Sequence, residues 1–147
     1  DSKENVKRAI HKKSGVKYFT AGWRTGIIGV TNLARIIGSS PEPSNRFSPV
    51  WWIWRWKAKV GLCMNPYEIS TGNSAYGAIN LAYHLGFKEV ALIGVDATNE
   101  PRIEGGRCNN LTHLPMLIAS ALPQIKIISC GKLDSVPQMT FEEWYKK

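Results

Sequence analysis

Between Ser70 and Asp96 the chain reads STGNSAYGAINLAYHLGFKEVALIGVD, in which three patterns follow one another. Ser70 to Ser74 are small and polar, which is typical of a flexible loop. Ala75 to Leu85 have helical spacing, and Gly86 supplies a helix stop. Glu89 to Asp96 form a nearly continuous apolar run, which predicts a central parallel strand covered on both faces. The order of loop, helix and strand indicates an α/β unit.

The segments on either side of this unit also alternate between helical and extended patterns. The predicted elements are a helix over 4–13, a strand over 16–20, a short helix over 33–37, a helix over 112–122, a strand over 124–129 and a terminal helix opened by a capping box at Thr140. The connections between the predicted strands are long enough to hold a helix, which favours parallel pairing. We therefore expect an α/β fold with a single Rossmann-like open, mostly parallel sheet and flanking helices, formed by residues 1–147 as one domain.

The composition is typical of a folded domain with an anionic partner. The 147 residues are 44% hydrophobic and 20% charged, which excludes a disordered or fibrous chain. The net charge of +8 is uneven, because residues 1–60 hold 12 Lys or Arg against 3 acidic residues (+9) and residues 61–147 hold 7 against 8 (−1). A basic first part favours a nucleotide, a nucleic acid or an acidic lipid surface, although a solubilising surface is an equally good explanation.

Targeting and cysteine patterns predict a cytoplasmic protein. No apolar run approaches the roughly 18 residues that a spanning helix needs, and the polar start from Asp1 to Glu4 does not resemble a signal peptide. The three cysteines, Cys63, Cys108 and Cys130, lack C-x-x-C spacing. We therefore expect reduced thiols and no disulfide, metal site or cofactor.

The loop from Ser70 to Ser74 is the strongest candidate site. Free N–H groups and the positive end of a helix attract an anion, and Gly72 allows a ligand to approach the backbone closely. The Asn73 amide and the hydroxyls of Ser70, Thr71 and Ser74 are further groups for binding a phosphate or a base. A plain N-cap with a turn explains the same residues, and neither a Walker loop nor a G-x-G-x-x-G pattern is present.

Asp96 and His113 are further candidates at the same edge of the predicted sheet. Asp96 follows the central strand, where ligands of open α/β sheets bind, so it is expected either to bond a sugar hydroxyl or to cap the next turn. His113 lies at a predicted helix start and is the candidate catalytic acid or base. A structural role explains each of the three histidines better, since neither His11, His84 nor His113 has a nucleophile or metal partner by spacing.

Four of the six tryptophans fall between Trp51 and Trp56. If this segment is a strand, Trp52, Trp54 and Trp56 share one face. With the neighbouring cations they provide stacking surfaces and positive charge for a base and a phosphate. A homo-oligomer interface is an equally good interpretation, since Trp and Arg are enriched in protein contacts. The candidate ligand-binding residues in this first part of the chain are Trp23, Arg24 and Arg55.

The stretch from Ile69 to Asp96 resembles a Rossmann-like family common in phage and prophage genomes. That family is itself similar to bacterial sialyltransferases of the lipooligosaccharide type. The segments from Ile125 to Cys130 and from Ser135 to Glu143 look like the last strand and the closing helix of the family, so the resemblance covers about residues 66–147. It implies that the loop, helix and strand lie against a cytidine nucleotide.

Two features of those transferases are missing from this sequence. It has no Gly-x-Gly-Pro-Ser loop, and where the family uses a histidine before its last helix this chain has Arg107, Cys108, Asn109 and Asn110. The resemblance therefore implies a nucleotide-binding protein with an incomplete catalytic set, in which Arg107 is a candidate ligand contact.

The first hypothesis from these observations is a phage protein that binds a nucleotide or a nucleotide-derived small molecule in the host cytoplasm and sequesters a host defence signal. The second is a glycosyltransferase-like enzyme that uses a nucleotide sugar, with His113 as its base. The third is nucleic-acid binding through the Trp and Arg segment, which predicts a steep dependence of affinity on salt.

Overall fold

The structure, a computed structural model, describes Lys7 and residues 15–22, 26–98 and 110–146. Within these residues the chain forms five β-strands and four α-helices. The strands that pair within each sheet run parallel, which confirms the α/β class and the mostly parallel pairing. No helix in this part of the chain combines the length and the apolar composition needed to cross a bilayer.

The first sheet has three strands in the order β1 (Tyr18–Ala21), β2 (Val30–Ile36) and β3 (Glu68–Ser70). Ala21 lies opposite Leu33, and Ile36 lies opposite Ser70. Because parallel strands end on the same side, the loops that follow β1, β2 and β3 leave the sheet at one edge. Ligands of open α/β sheets bind at this kind of edge.

The second sheet pairs β4 (Glu89–Leu92) with β5 (Lys126–Ser129). Leu92 and Ile127 are buried, as expected for apolar strands that are covered by helices. The strand predicted over 89–96 ends early, because Gly94 has a φ of 69° and turns the chain. The described strands thus form a three-stranded and a two-stranded sheet, and hydrogen bonds between strands do not join the two.

The four described helices are α1 (Pro49–Arg55), α2 (Ser74–His84), α3 (Leu114–Ala119) and α4 (Phe141–Tyr145). The predicted capping box at the start of α4 is confirmed, since Thr140 and Glu143 each bond the backbone of the other. A polar side chain caps two further helices, Ser48 at α1 and Asn73 at α2. α3 begins one residue before Pro115, which is tolerated in the first turn as expected.

The tryptophan segment is a helix, so the arrangement expected for a strand is wrong. Ser48 caps it and Pro49 occupies its first turn, a combination that starts a helix. Trp52, Trp54 and Trp56 therefore do not share one face. The rings of Trp51 and Trp52 instead meet edge to face with their centres 5.0 Å apart, and those of Trp51 and Trp54, at helical spacing, lie 6.0 Å apart.

The secondary structure of residues 33–37 also differs from the predicted helix, because 33–36 belong to β2. β2 lies between β1 and β3, and its backbone pairing with both neighbours outweighs the local preference for a helix. The helix predicted over 4–13, which includes His11, lies outside the described residues apart from Lys7.

The core lies where α2 and α3 pack with β5. Tyr76, Leu117, Ile118 and Ile127 are completely buried there. Each large apolar side chain buried in this way stabilises the fold by about 1.5–3 kcal/mol. Cys63 and Cys130 form no disulfide among the described residues, and Cys108 lies outside them.

Candidate ligand-binding cleft

A cavity of about 460 Å³ lies between α2 and one face of the first sheet, and we call it the helix cleft. The sheet and the loop after it contribute alternate residues, which share a face: Phe19, Ala21, Leu33, Arg35, Ile69 and Thr71. α2 contributes residues at helical spacing, which also share a face: Ser74, Gly77, Ala78 and Leu81. Thr20, Trp56, Gly72 and Asn73 complete the lining. The predicted loop therefore borders a cavity through Thr71, Gly72, Asn73 and Ser74.

The amino end of α2 opens on this cleft. The Asn73 side chain accepts a hydrogen bond from the Ala75 N–H at 2.8 Å, so the N-cap expected from the sequence is present. The Ser74 and Tyr76 N–H groups, also in the first turn, have no acceptor within the described part of the chain. The cap and the anion site are therefore compatible, because one capping bond leaves N–H groups and the positive end of the helix dipole for a ligand.

Arg35 brings a positive charge to the same cleft. Its Nη2 donates to the Trp56 carbonyl oxygen at 2.5 Å, which fixes the guanidinium beside the cavity. The sequence pattern did not indicate this residue, because it predicts a helix over residues 33–37. Leu33 and Arg35 are two residues apart, so a strand over this segment would place both side chains on one face.

Thr71 presents a hydroxyl whose hydrogen-bonding capacity is unused. Its Oγ1 atom is buried and has no hydrogen-bond partner among the described residues. Buried hydroxyls normally have a partner, and an unpaired one costs free energy. Thr71 lines the helix cleft, but this oxygen itself has almost no accessible surface, so a ligand group would reach it only after the side chain turns.

Gly77 keeps the helix cleft open. A Cβ atom at this position would lie 3.7 Å from Thr71 Cγ2 and 3.9 Å from the Ser70 carbonyl oxygen, which are ordinary contacts. Glycine inside a helix is about 0.8–1 kcal/mol less favourable than alanine. α2 thus has a destabilising residue where it borders the cavity. Loss of stability in exchange for an open site is typical of functional positions.

Replacing Gly77 with alanine is therefore expected to raise the free energy of unfolding by about 0.5–1 kcal/mol while narrowing the cleft. Urea unfolding measures this change. The reverse substitution at the neighbouring cleft position, Ala78→Gly, is the control and should lower stability by a similar amount. A Gly77→Ala protein that is less stable than the unmodified chain would contradict the space described around Gly77.

Ser70 lies behind the cleft wall. It ends β3 completely buried, its N–H donates to Asn80 Oδ1 at 2.7 Å and its hydroxyl donates to the Gly61 carbonyl oxygen at 3.0 Å. Asn80 is also buried and bonds Cys63 through both ends of its amide, 3.0 Å to the N–H and 3.1 Å to the carbonyl. This network holds the loop in position. The sequence signal for it is Asn80 itself, a polar residue on the buried face of a helix.

Gly72 is required by packing. Its φ is 144°, and a Cβ atom there would lie 2.4 Å from the Cβ of Ala58 and 3.3 Å from Leu117 Cδ1. The space that glycine leaves free is therefore occupied by the protein itself. Close approach of a ligand to the backbone, as expected from the sequence, is not needed to explain this glycine.

His113 lies next to the loop and does not line the cleft. It is 2% exposed, and its Nε2 is 3.4 Å from the Gly72 carbonyl oxygen. Burial lowers the pKa of the imidazole, so the ring is neutral at neutral pH and Nε2–H can donate to Gly72. The geometry supports a positioning role for His113 in the loop, and its candidate role as a catalytic base stays a prediction.

Asp96 also lies apart from the cleft lining. Its Oδ1 accepts a hydrogen bond from the Lys132 N–H at 2.9 Å, which ties the segment after β4 to the turn after β5. The carboxylate therefore caps a turn 36 residues further along the chain, and not the next turn as the sequence suggested. A ligand contact by Asp96 stays a prediction.

Arg55 borders a different cavity, of about 250 Å³, together with Gly38, Ser40, Trp54 and Lys57. Three other predicted ligand contacts, Trp23, Arg24 and Arg107, lie outside the described residues. The structure thus gathers Thr71 to Ser74 at one cleft and adds Arg35 to them, whereas Ser70, Asp96, His113 and Arg55 lie elsewhere.

No protein-family model, no curated protein and no solved structure matches this sequence. The function is therefore inferred from the geometry of the cleft.

Proposed function

We propose that this protein binds a nucleotide or a nucleotide-derived small molecule in the helix cleft. The observation that carries the proposal is the meeting of two positive groups in one cavity of about 460 Å³: the amino end of α2 and the guanidinium of Arg35. Helix starts with free N–H groups bind phosphate, and arginine adds charge-assisted hydrogen bonds.

The two ends of the helix cleft suit the two parts of a nucleotide. The phosphate lies at the start of α2, where the Ser74 N–H and the Arg35 guanidinium donate to its oxygens. The sugar and base lie against the apolar wall formed by Phe19, Leu33, Ile69 and Leu81. A mostly apolar cavity with a few placed polar groups is the usual form of a small-molecule site.

The finer fold assignment is part of the same proposal. β3, α2 and β4 follow one another along the chain, which is the order that a parallel crossover would have. We propose that the two described sheets are the two parts of one Rossmann-like sheet, as in the phage family that the sequence resembles. The amino end of α2 would then lie at the nucleotide edge of that sheet.

Binding without turnover is the form of this function that the geometry supports best. His113 is neutral, buried and bonded to the loop, so it does not face the cleft as a base would. The biological role that fits a nucleotide binder of phage origin is sequestration of a host nucleotide signal. A glycosyltransferase-like enzyme would instead release free nucleotide from a nucleotide sugar beyond one equivalent.

Calorimetric titration with the mononucleotides AMP, CMP, GMP and UMP tests the proposal. We expect saturable binding of at least one of them, and intact ligand on recovery. Ser74→Asp provides the site-specific control. Its carboxylate at the first helical position stabilises α2 by about 0.3–1 kcal/mol, yet repels a phosphate there and should weaken binding roughly tenfold or more.

Ser44→Asp is the matched variant, since it adds the same charge in an exposed loop that does not line the cleft. Its effect on nucleotide affinity should be less than about twofold, because salt screens distant surface charges. Equal weakening by the two substitutions would place the phosphate somewhere other than the start of α2.

A further inference from the structure

A second cleft lies at the carboxyl end of α1, and no part of the proposed function uses it. Its volume is about 250 Å³, and it is lined by Gly38, Ser40, Trp54, Arg55 and Lys57. Arg55 and Lys57 are exposed, and neither forms an ion pair with an acidic residue in the described part of the chain. We call this cavity the lysine cleft.

The groups around the lysine cleft match those that bind a nucleotide. The two cations suit a phosphate, the hydroxyl of Ser40 adds a hydrogen bond, and the half-buried indole of Trp54 provides a flat face on which a base can stack. The carbonyls at this end of α1 do not oppose an anion strongly. Those of Ile53 and Trp54 each accept a backbone hydrogen bond at 2.9 Å.

The backbone at Lys57 is in a conformation that lysine rarely adopts. α1 ends in a Schellman motif, in which Ala58 N–H donates to Ile53 and Lys57 N–H to Trp54. The left-handed residue of this motif is usually glycine, whereas Lys57 has a φ of 49°. A lysine is therefore held in an unfavourable conformation at a residue that lines this cleft, and strained residues of this kind cluster at functional sites.

The two clefts are neighbours, because the segment from Trp54 to Lys57 contributes to both. Trp56 lines the helix cleft, and its carbonyl accepts from Arg35. On the other side, the Lys57 carbonyl accepts from the N–H of Gly38, which lines the lysine cleft, at 3.1 Å. The backbone of Trp56 and Lys57 is bonded to a residue of each cleft, and we expect the adjacent phosphates of a diphosphate, which share one bridging oxygen, to be too close together to occupy both.

We propose that the lysine cleft binds the second nucleotide of a dinucleotide whose first nucleotide occupies the helix cleft. The second phosphate lies between Arg55 and Lys57, and the second base stacks on Trp54. This inference rests on the proposed function, since the first nucleotide must bind at the start of α2.

The test compares the affinities of three sets of ligands for the unmodified protein: the four mononucleotides, the corresponding nucleoside diphosphates, and the 5′-phosphorylated homodinucleotides pApA, pCpC, pGpG and pUpU. For the preferred base we expect the dinucleotide to bind at least roughly tenfold more tightly than the mononucleotide. The diphosphate has a charge similar to that of the dinucleotide and should gain much less.

The decisive variant is Arg55→Gln/Lys57→Gly, with Arg46→Gln/Lys88→Gln as the control that removes two exposed cations elsewhere. Glycine suits the left-handed position, so Lys57→Gly should raise the Tm by about 2–4 °C and the variant should fold. We expect the variant to lose the dinucleotide advantage and to keep its mononucleotide affinity. The control should keep both.

Three results would overturn the inference: a dinucleotide that binds no more tightly than the mononucleotide, an advantage that survives in Arg55→Gln/Lys57→Gly, or an equal loss in the control. Each leaves the helix cleft as a nucleotide site. Absence of saturable mononucleotide binding would contradict the proposed function itself, and this inference with it, so the mononucleotide titration distinguishes the two failures.

Discussion

Replacing Asn80 with leucine is expected to lower the free energy of unfolding by roughly 3–5 kcal/mol, because it leaves three buried backbone groups without partners. The Asn80 amide accepts from the N–H groups of Ser70 and Cys63 and donates to the Cys63 carbonyl. Leucine has the same number and branching of side-chain heavy atoms, so it keeps the shape while the hydrogen bonds are lost, and its bulkier methyl groups add a cost of overpacking. The cost of an unpaired buried polar group is larger than the gain from the added apolar surface.

Urea unfolding followed by tryptophan fluorescence measures this change. Asn45→Leu is the matched control, because Asn45 lies in an exposed loop where its Oδ1 accepts one hydrogen bond, from the Phe47 N–H. Its replacement should cost about 0.5–1.5 kcal/mol. If the two substitutions lowered stability equally, the buried network at Asn80 would not hold β3 and the loop as described.

The second large effect is expected for Gly72→Ala, which should lower stability by roughly 2–4 kcal/mol. Two costs add up in this substitution. The backbone has a φ of 144°, which residues with a Cβ rarely adopt, and the new methyl group would lie 2.4 Å from the Ala58 Cβ. Since the loop must shift to relieve this overlap, nucleotide affinity should fall as well.

Gly86→Ala separates the two costs. Gly86 has a φ of 87° with no atom near the position of a Cβ, so alanine there brings backbone strain without overlap and should cost about 1 kcal/mol. In addition, Ala58→Gly in the Gly72→Ala background removes the clashing methyl and should restore part of the loss. If the effects of Gly72→Ala and Ala58→Gly on stability were simply additive, the contact described between residues 72 and 58 would be contradicted.

The elements predicted correctly from the sequence are those whose signals are local. The loop and helix around Ser74 carry their own N-cap and C-terminal glycine, and Thr140 with Glu143 forms a complete capping box. These signals act within a few residues, so they can be read before any tertiary contact is known. The loop residues Thr71 to Ser74 were identified as a candidate site for the same reason.

The errors lie where distant parts of the chain decide the structure. β2 is extended because β1 and β3 pair with it, and Arg35 reaches the helix cleft because of that strand. The tryptophan segment was treated as extended on composition, although Ser48 and Pro49 carried a local helix start. Helical periodicity places Asn80 on a buried face, but no local pattern identifies the distant groups that Asn80 and His113 bond.

The central claim is that a phosphate binds at the amino end of α2. Two-dimensional amide NMR during titration with the tightest-binding mononucleotide tests it most directly. We predict large, saturable shifts of the Ser74 and Tyr76 amide signals and of the Arg35 side-chain signal, at one common affinity. Saturable binding that leaves these three signals unchanged, or the absence of any saturable shift, would contradict the account.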